Sequence, residues 1–223
     1  AKISFYLEPD QDNVEMLAAV QRGLDEIRSW GVDVGAATIE ASQTEDKDWI
    51  NNWKKYFKPI PVGNRLLVRP MWEDEYEAGD RVVLHLEPGL AFGTGTHETT
   101  RLCMELLEKY VKPGVKVLDL GTGSGILGIA ALKLGAEYVF GTDLDENAIT
   151  AVHENLAAND IPEEKFGVIQ GNIIDDKATQ DAAGYECYDI VVANILADII
   201  IMIQKQVPFH LKKGGIFISS GII

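Results

Sequence analysis

From about residue 61 onward, apolar residues alternate between short continuous runs and stripes at helical spacing. Strands are expected at 116–120, 137–142, 166–170, 189–193 and 215–219. Helices are expected between them at 124–134, 146–158 and 196–206. Two further runs, 65–69 and 81–86, read as strands ahead of this series. Regular alternation with short loops predicts an α/β fold: a doubly wound, mainly parallel, Rossmann-like sheet with helices on its faces.

The first 44 residues have a different pattern. Residues 2–7 have strand character, and 38–42 is a plausible return strand. Between them, Asp12 or Asn13 can cap a helix carrying Val14, Leu17, Ala18, Leu24 and Ile27 on one side. A helix over 46–57 follows, with Trp49, Trp53 and the pair Tyr56/Phe57 at helical spacing and Pro59 and Pro61 to stop it. Such an aromatic stripe suits packing between two domains. The expected organisation is a small α+β domain over 1–44, a connecting helix over 45–60 and an α/β domain over 61–223. The chain begins without Met, directly in a strand, so more of the small domain is expected upstream. A sheet of this type normally goes on with a helix and an antiparallel strand pair, so further residues are expected beyond Ile223 as well.

Composition narrows the class only a little. The 223 residues are 46% hydrophobic and 25% charged, ordinary for a globular protein. No apolar stretch approaches the ~20 residues that span a bilayer, and no secretory signal is visible. Cys103 and Cys187 are unpatterned and the four histidines do not cluster, so neither a disulfide framework nor a metal site is expected. These features suit a monomeric cytoplasmic protein. The net charge of −15 argues against direct nucleic-acid binding. It fits attraction to a basic protein partner, or simply solubility.

The chemistry concentrates in the run Val117-Leu118-Asp119-Leu120-Gly121-Thr122-Gly123-Ser124-Gly125. A strand that turns directly into a helix needs positive φ or an absent Cβ, and Gly121 and Gly123 supply both. The helix N-terminus then faces whatever lies over the turn. A dinucleotide fingerprint can be matched from Gly123 to Gly128, but it starts two residues late relative to the strand end. Asp119 is a second objection, because a carboxylate there repels a pyrophosphate and suits the α-ammonium group of S-adenosylmethionine (AdoMet). Asp143, 22 residues after Gly121, is placed to accept from ribose hydroxyls. The alternative is a glycine-rich turn with no ligand.

Three other loops carry candidates. Residues 88–100 hold three glycines, four threonines and His97 ahead of a helix bearing Leu102, Leu106, Leu107 and Tyr110. That segment can fold over a ligand, with His97 as a contact or an ordinary loop histidine, and Thr100 as a contact or a helix cap. Asn172, after the third strand of the series, can reach an adenine amino group or serve as a turn residue. Asn194 ends the apolar strand at 189–193, where substrate and cofactor meet, and its carbonyl can orient an amine nucleophile; a plain helix cap is the alternative.

Taken together, Phe92-Gly93-Thr94-Gly95-Thr96-His97-Glu98-Thr99-Thr100, the glycine turn, Asp143, Asn194-Ile195-Leu196-Ala197 and the closing Ser219-Ser220-Gly221-Ile222 resemble the bacterial ribosomal protein L11 methyltransferase family. The glycine turn alone would point only to AdoMet-dependent methyltransferases in general. The resemblance extends to the Trp49/Trp53 helix. It implies AdoMet-dependent trimethylation of lysine side chains and the N-terminal α-amine of that basic ribosomal protein; the catalytic role expected of Asn194, orienting the amine, rests on its place at the strand end. It also implies cofactor contacts at Thr100, Gly121, Asp143 and Asn194, and an N-terminal domain that docks the substrate. Amine and amide methyltransferases often have Asn-Pro-Pro-Tyr at this strand end, whereas this chain has Asn-Ile-Leu-Ala, which suits a flexible alkyl amine. Rival readings are methylation of another protein or of ribosomal RNA, a non-catalytic AdoMet-binding module, and an NAD-dependent dehydrogenase.

Overall fold

The computed structural model describes residues 13–39, 58–73, 76–86 and 98–220. The chain divides into two compact units, residues 1–53 and 54–223. In the first, α1 (Asn13–Ser29) forms as the spacing predicts. Leu17, Val20 and Leu24 are half-buried along it, while Val14 and Ile27 are exposed. The strand expected at 2–7, most of the return strand and the whole 46–57 helix lie outside the described residues. Thr38 and Ile39, which are described, are not in a strand.

The second unit opens with a three-stranded sheet of β1 (Ile60–Val62), β2 (Leu66–Pro70) and β3 (Val82–Leu86), with β1 antiparallel to β2 and β2 parallel to β3. Strand β1 is not anticipated by the apolar pattern. Pro61 lies inside it, which an edge strand tolerates because one side makes no ladder. Helix α2 (Glu98–Tyr110) follows and buries Thr100, Cys103, Met104 and Leu107, the single face that spacings of three and four produce. It is tied to the preceding sheet by Glu108, whose carboxylate accepts from the backbone N–H groups of Asn64 (3.1 Å) and Arg65 (3.0 Å).

The main series is β4 (Lys116–Leu120), α3 (Ile126–Leu134), β5 (Tyr138–Asp143), α4 (Glu146–Ala158), a 3-10 turn (Glu163–Lys165), β6 (Phe166–Gln170), α5 (Lys177–Ala183), β7 (Tyr188–Asn194), α6 (Ala197–Ile203), α7 (Val207–His210) and β8 (Leu211–Ser220). The strands form one sheet in the order β6-β5-β4-β7-β8, every neighbouring pair parallel. Its two faces bury two separate apolar layers. Val117, Val139 and Val192 pack with α2, α3 and α4. Leu118, Leu120, Phe140, Val191 and Ala193 pack with Ala183, Ile200 and Val207 from the other helices. This is the doubly wound parallel arrangement that the alternation predicts.

The departures are local. Helix α5 is not anticipated by the pattern, since Lys177-Ala178-Thr179-Gln180-Asp181-Ala182-Ala183 has no apolar stripe. It is started by Asp176, whose side chain accepts from the N–H groups of Ala178 and Thr179. The helix expected over 196–206 is cut to α6, and the single turn α7 follows with Pro208 near its start. Strand β8 begins four residues earlier than expected, running through Lys212-Lys213-Gly214-Gly215 with a register shift.

Candidate functional site

Strand β4 pairs with β5 on one side and β7 on the other, so the connections leave it in opposite directions and open a crevice at its carboxyl end. In the register of β4 and β7, Leu120 lies opposite Ala193. Gly121 and Asn194, the next residues of each strand end, therefore emerge side by side.

The turn after β4 has Gly121, Gly123 and Gly125 at φ of +69°, +54° and +78°. Thr142 O accepts from Gly121 N (2.8 Å) and Thr122 N (3.1 Å), which folds the turn against the end of β5. Gly121 is required twice over. Its φ is left-handed, and a Cβ there would stand 2.4 Å from Ile195 Cγ2. Gly125 caps α3 without offering a side chain to its N–H groups. Asn155 of α4 donates to Ser124 O at 2.9 Å and braces the turn from behind.

Asp143, half-buried at the end of β5, accepts from Gly123 N at 2.8 Å and from Asp145 N at 3.0 Å, one oxygen each. Both carboxylate oxygens are thus fixed in direction while retaining further lone pairs. Asp119 lies deeper. It is 1% exposed, and its Oδ2 accepts from Thr122 Oγ1 (2.9 Å) and from Gly128 N of α3 (3.1 Å). Burial pushes its carboxyl up to about 7; the Thr122 and Gly128 bonds oppose that shift and the nearby charge of Asp143 adds to it. Two acidic groups at one glycine turn disfavour a pyrophosphate and favour a cationic ligand with hydroxyls.

Across the crevice, the Asn194 amide donates from Nδ2 to Thr100 Oγ1 at 2.9 Å, a contact spanning 94 positions. Thr100 is fully buried inside α2 and is not the terminal cap that its position after the loop suggests. Asn172 Oδ1 accepts from Ile174 N at 3.0 Å, so this side chain forms a turn within its own loop. His97 and the rest of the 87–97 loop lie outside the described residues. The structure therefore gathers Gly121, Gly123, Asp143, Thr100 and Asn194 around one crevice, with Asp119 beneath its floor and Asn172 engaged in its own loop.

Three contributors are not evident from sequence reasoning. Thr122 holds Asp119, Ile195 covers Gly121, and Asn155 braces Ser124. Only Asn155 leaves a trace in the sequence. It lies on the buried stripe Ala148, Val152, Asn155, Leu156 of α4, where a polar residue needs a partner.

A parallel sheet ordered β6-β5-β4-β7-β8, a glycine turn at the crevice and a directed carboxylate at the end of β5 define a Rossmann-like AdoMet-dependent methyltransferase. The residues fit that ligand, since Asp143 offers oriented acceptors for a ribose and the turn admits backbone approach. A family model described as ribosomal protein L11 methyltransferase (PrmA) matches residues 1–223. A protein of Lachnospira eligens with the same name is 52% identical over 224 residues, covering 100% of this chain and 70% of the relative. One from Agathobacter rectalis is 49% identical, covering 99% and 69%. The crystal structure of a ribosomal protein L11 methylase from Lactobacillus delbrueckii subsp. bulgaricus is similar with a TM-score of 0.63 and 36% identity, over 74% of this chain and 80% of that one. The chain belongs to the ribosomal protein L11 methyltransferase family.

Proposed function

We propose that this protein methylates amino groups of ribosomal protein L11, lysine side chains and the N-terminal α-amine, in the cytoplasm and as a monomer. The reading is supported by the names its relatives carry and by the Asn194–Thr100 contact, a side-chain amide beside Gly121 at the carboxyl end of the central strands. AdoMet, when bound, supplies an electrophilic methyl group on a sulfonium. The Asp143 carboxylate takes the ribose hydroxyls, and the Gly121–Gly123 backbone lies along the ligand. Asn194 stands at the methyl-transfer end with Thr100 buried behind it, and Asn172, toward the adenine, and His97 are further cofactor contacts in this reading. Asp119 we assign to shaping the turn, because its contacts are Thr122 and Gly128.

The nucleophile has to be a neutral amine. For a lysine of pKa near 10.4, deprotonation at pH 7.4 costs about 4 kcal/mol, whereas an α-amine near 7.8 costs under about 1 kcal/mol. Desolvation in a closed crevice lowers the lysine cost. The protein then contributes position more than proton transfer: Asn194 Oδ1 accepts from the amine, and water takes the proton. Strong acidity, a net charge of −15, attracts a basic substrate protein.

The test is incubation with isotopically labelled AdoMet and either purified L11 or ribosomal RNA, read by mass spectrometry. Label on L11 amines is expected, and Asn194→Ala should lower kcat by at least tenfold. Label in RNA alone, or full turnover by the Asn194→Ala variant, overturns the proposal.

A further inference from the structure

Two side chains divide between them the hydrogen bond with which α3 would otherwise begin. Its first bond runs from Ile129 N to Gly125 O at 2.8 Å, which makes Gly125 the cap. The bond one step earlier would run from Gly128 N to Ser124 O, and neither group makes it. Gly128 N donates to Asp119 Oδ2 at 3.1 Å, and Ser124 O accepts from Asn155 Nδ2 at 2.9 Å. Asp119 and Asn155 are each 1% exposed, so water does not compete for either contact. The backbone depends on this division. With Ser124 O as the first acceptor, Gly125 would be the first helical residue and would need a φ of about −63°. It has +78° instead, the last of three left-handed glycines. Gly123, two residues earlier, gives its N–H to Asp143 at 2.8 Å, so a change of hand at Gly125 disturbs the turn that orients that carboxylate. Asn155 is held in place as well. One turn further along α4, Asn159 bonds both the N–H and the C=O of His85 in β3.

We infer that Asp119 and Asn155 are a pair of positioning residues, one taking the donor and the other the acceptor of that bond, so that α3 starts late and the glycine turn stays open to AdoMet. This rests on the reading above that AdoMet lies along the Gly121–Gly123 backbone. Two local structures compete for the same residues. In the open one Gly125 is left-handed; in the closed one α3 gains Gly125 and the Gly128–Ser124 bond. A ligand that binds only the open turn loses affinity in proportion to the closed fraction. Removing either side chain returns one of the two groups to its helical partner, with which the helix aligns it. Loss of both closes the same turn that loss of one closes, so the two side chains act as a unit.

The test reads affinity and backbone conformation, so it does not depend on turnover. AdoMet is titrated calorimetrically into the wild type, Asn155→Leu, Asp119→Leu and the double variant, leucine being close in shape to both side chains and without their hydrogen bonds. Should Asp119→Leu not fold, Asp119→Ala takes its place. Each single variant is expected to bind about tenfold more weakly, the worth of one hydrogen bond in the balance of open and closed turns. The double variant should be no more than about twofold worse than the weaker single one. Leu156→Ala, at a fully buried position next to Asn155, is the control: it lowers thermal stability and should keep AdoMet affinity within about twofold. A crystal structure of ligand-free Asn155→Leu gives the second readout, with Gly125 expected at a φ of about −63° and Gly128 N bonded to Ser124 O. Losses that multiply to about a hundredfold in the double variant overturn the inference. So does an Asn155→Leu turn that keeps Gly125 left-handed, and so does an equal loss of affinity in Leu156→Ala. A closed turn that binds AdoMet as tightly as wild type defeats the placement of the ligand on that turn, and the inference with it.

Discussion

Asp119 makes the structure's sharpest quantitative prediction, because a carboxyl group 1% exposed beneath the glycine turn titrates differently in the folded and unfolded chain. In the unfolded chain it loses its proton near 3.9. In the folded protein burial holds the proton until about pH 7. Between those values the native state binds the extra proton, so this group's contribution is complete below pH 4 and is lost as pH rises toward 7. The slope is about 1.4 kcal/mol per pH unit. Over the two units from pH 5 to 7 the loss attributable to Asp119 is therefore about 2 kcal/mol, because the slope flattens as the folded-state value is reached, with little further change by pH 8.

Asp119→Asn isolates that loss. An asparagine oxygen still accepts from Thr122 Oγ1 and Gly128 N, the two contacts that Asp119 makes, but has no proton to release in this range. Urea unfolding of both proteins at pH 5, 6, 7 and 8 gives two stability curves whose difference cancels the groups they share. The variant is expected to gain on the wild type by about 2 kcal/mol between pH 5 and 7 and then run parallel. A difference constant to within about 0.5 kcal/mol across that range refutes the argument, and so does one moving the opposite way. Calorimetric titration with AdoMet on the same variant separates two roles. Affinity within threefold of wild type fits a carboxyl that shapes the turn, and a loss beyond about tenfold would restore Asp119 as the partner of the ligand's ammonium group.

Two more substitutions probe the crevice. Gly121→Ala forces an L-residue to a φ of +69° and sets its Cβ 2.4 Å from Ile195 Cγ2, so thermal unfolding should report a loss of about 2 kcal/mol or more, partly recovered in Gly121→Ala/Ile195→Ala. Unchanged stability in the single variant contradicts that packing. Asp143→Asn should weaken AdoMet binding by about tenfold to a hundredfold, the worth of a charge-assisted hydrogen bond, while also loosening the bonds from Gly123 N and Asp145 N. Titration calorimetry giving wild-type affinity would remove Asp143 from the site.

The same residues show what a sequence discloses and what it withholds. Strand and helix alternation from Lys116 onward is legible because both faces of the sheet are buried, which makes its strands continuous apolar runs rather than alternating ones. Helix α5 is not legible, because it depends on the Asp176 cap and has no periodic stripe. Gly121, Asp143 and Asn194 are legible as candidates because strand ends in such sheets collect ligands, yet no spacing in the chain announces that Asn194 meets Thr100 of α2. Asp119 is the instructive case. Its position near the strand end suggests a ligand contact, but alternation along β4 places Val117 and Asp119 on the α3 side and Leu118 and Leu120 on the other. A carboxylate on a covered face has to find its donors inside the protein, and it finds them in Thr122 and the N–H of Gly128. Proximity in sequence to a site indicates a neighbourhood; the face of the strand decides whether a side chain meets the ligand or holds the turn that meets it.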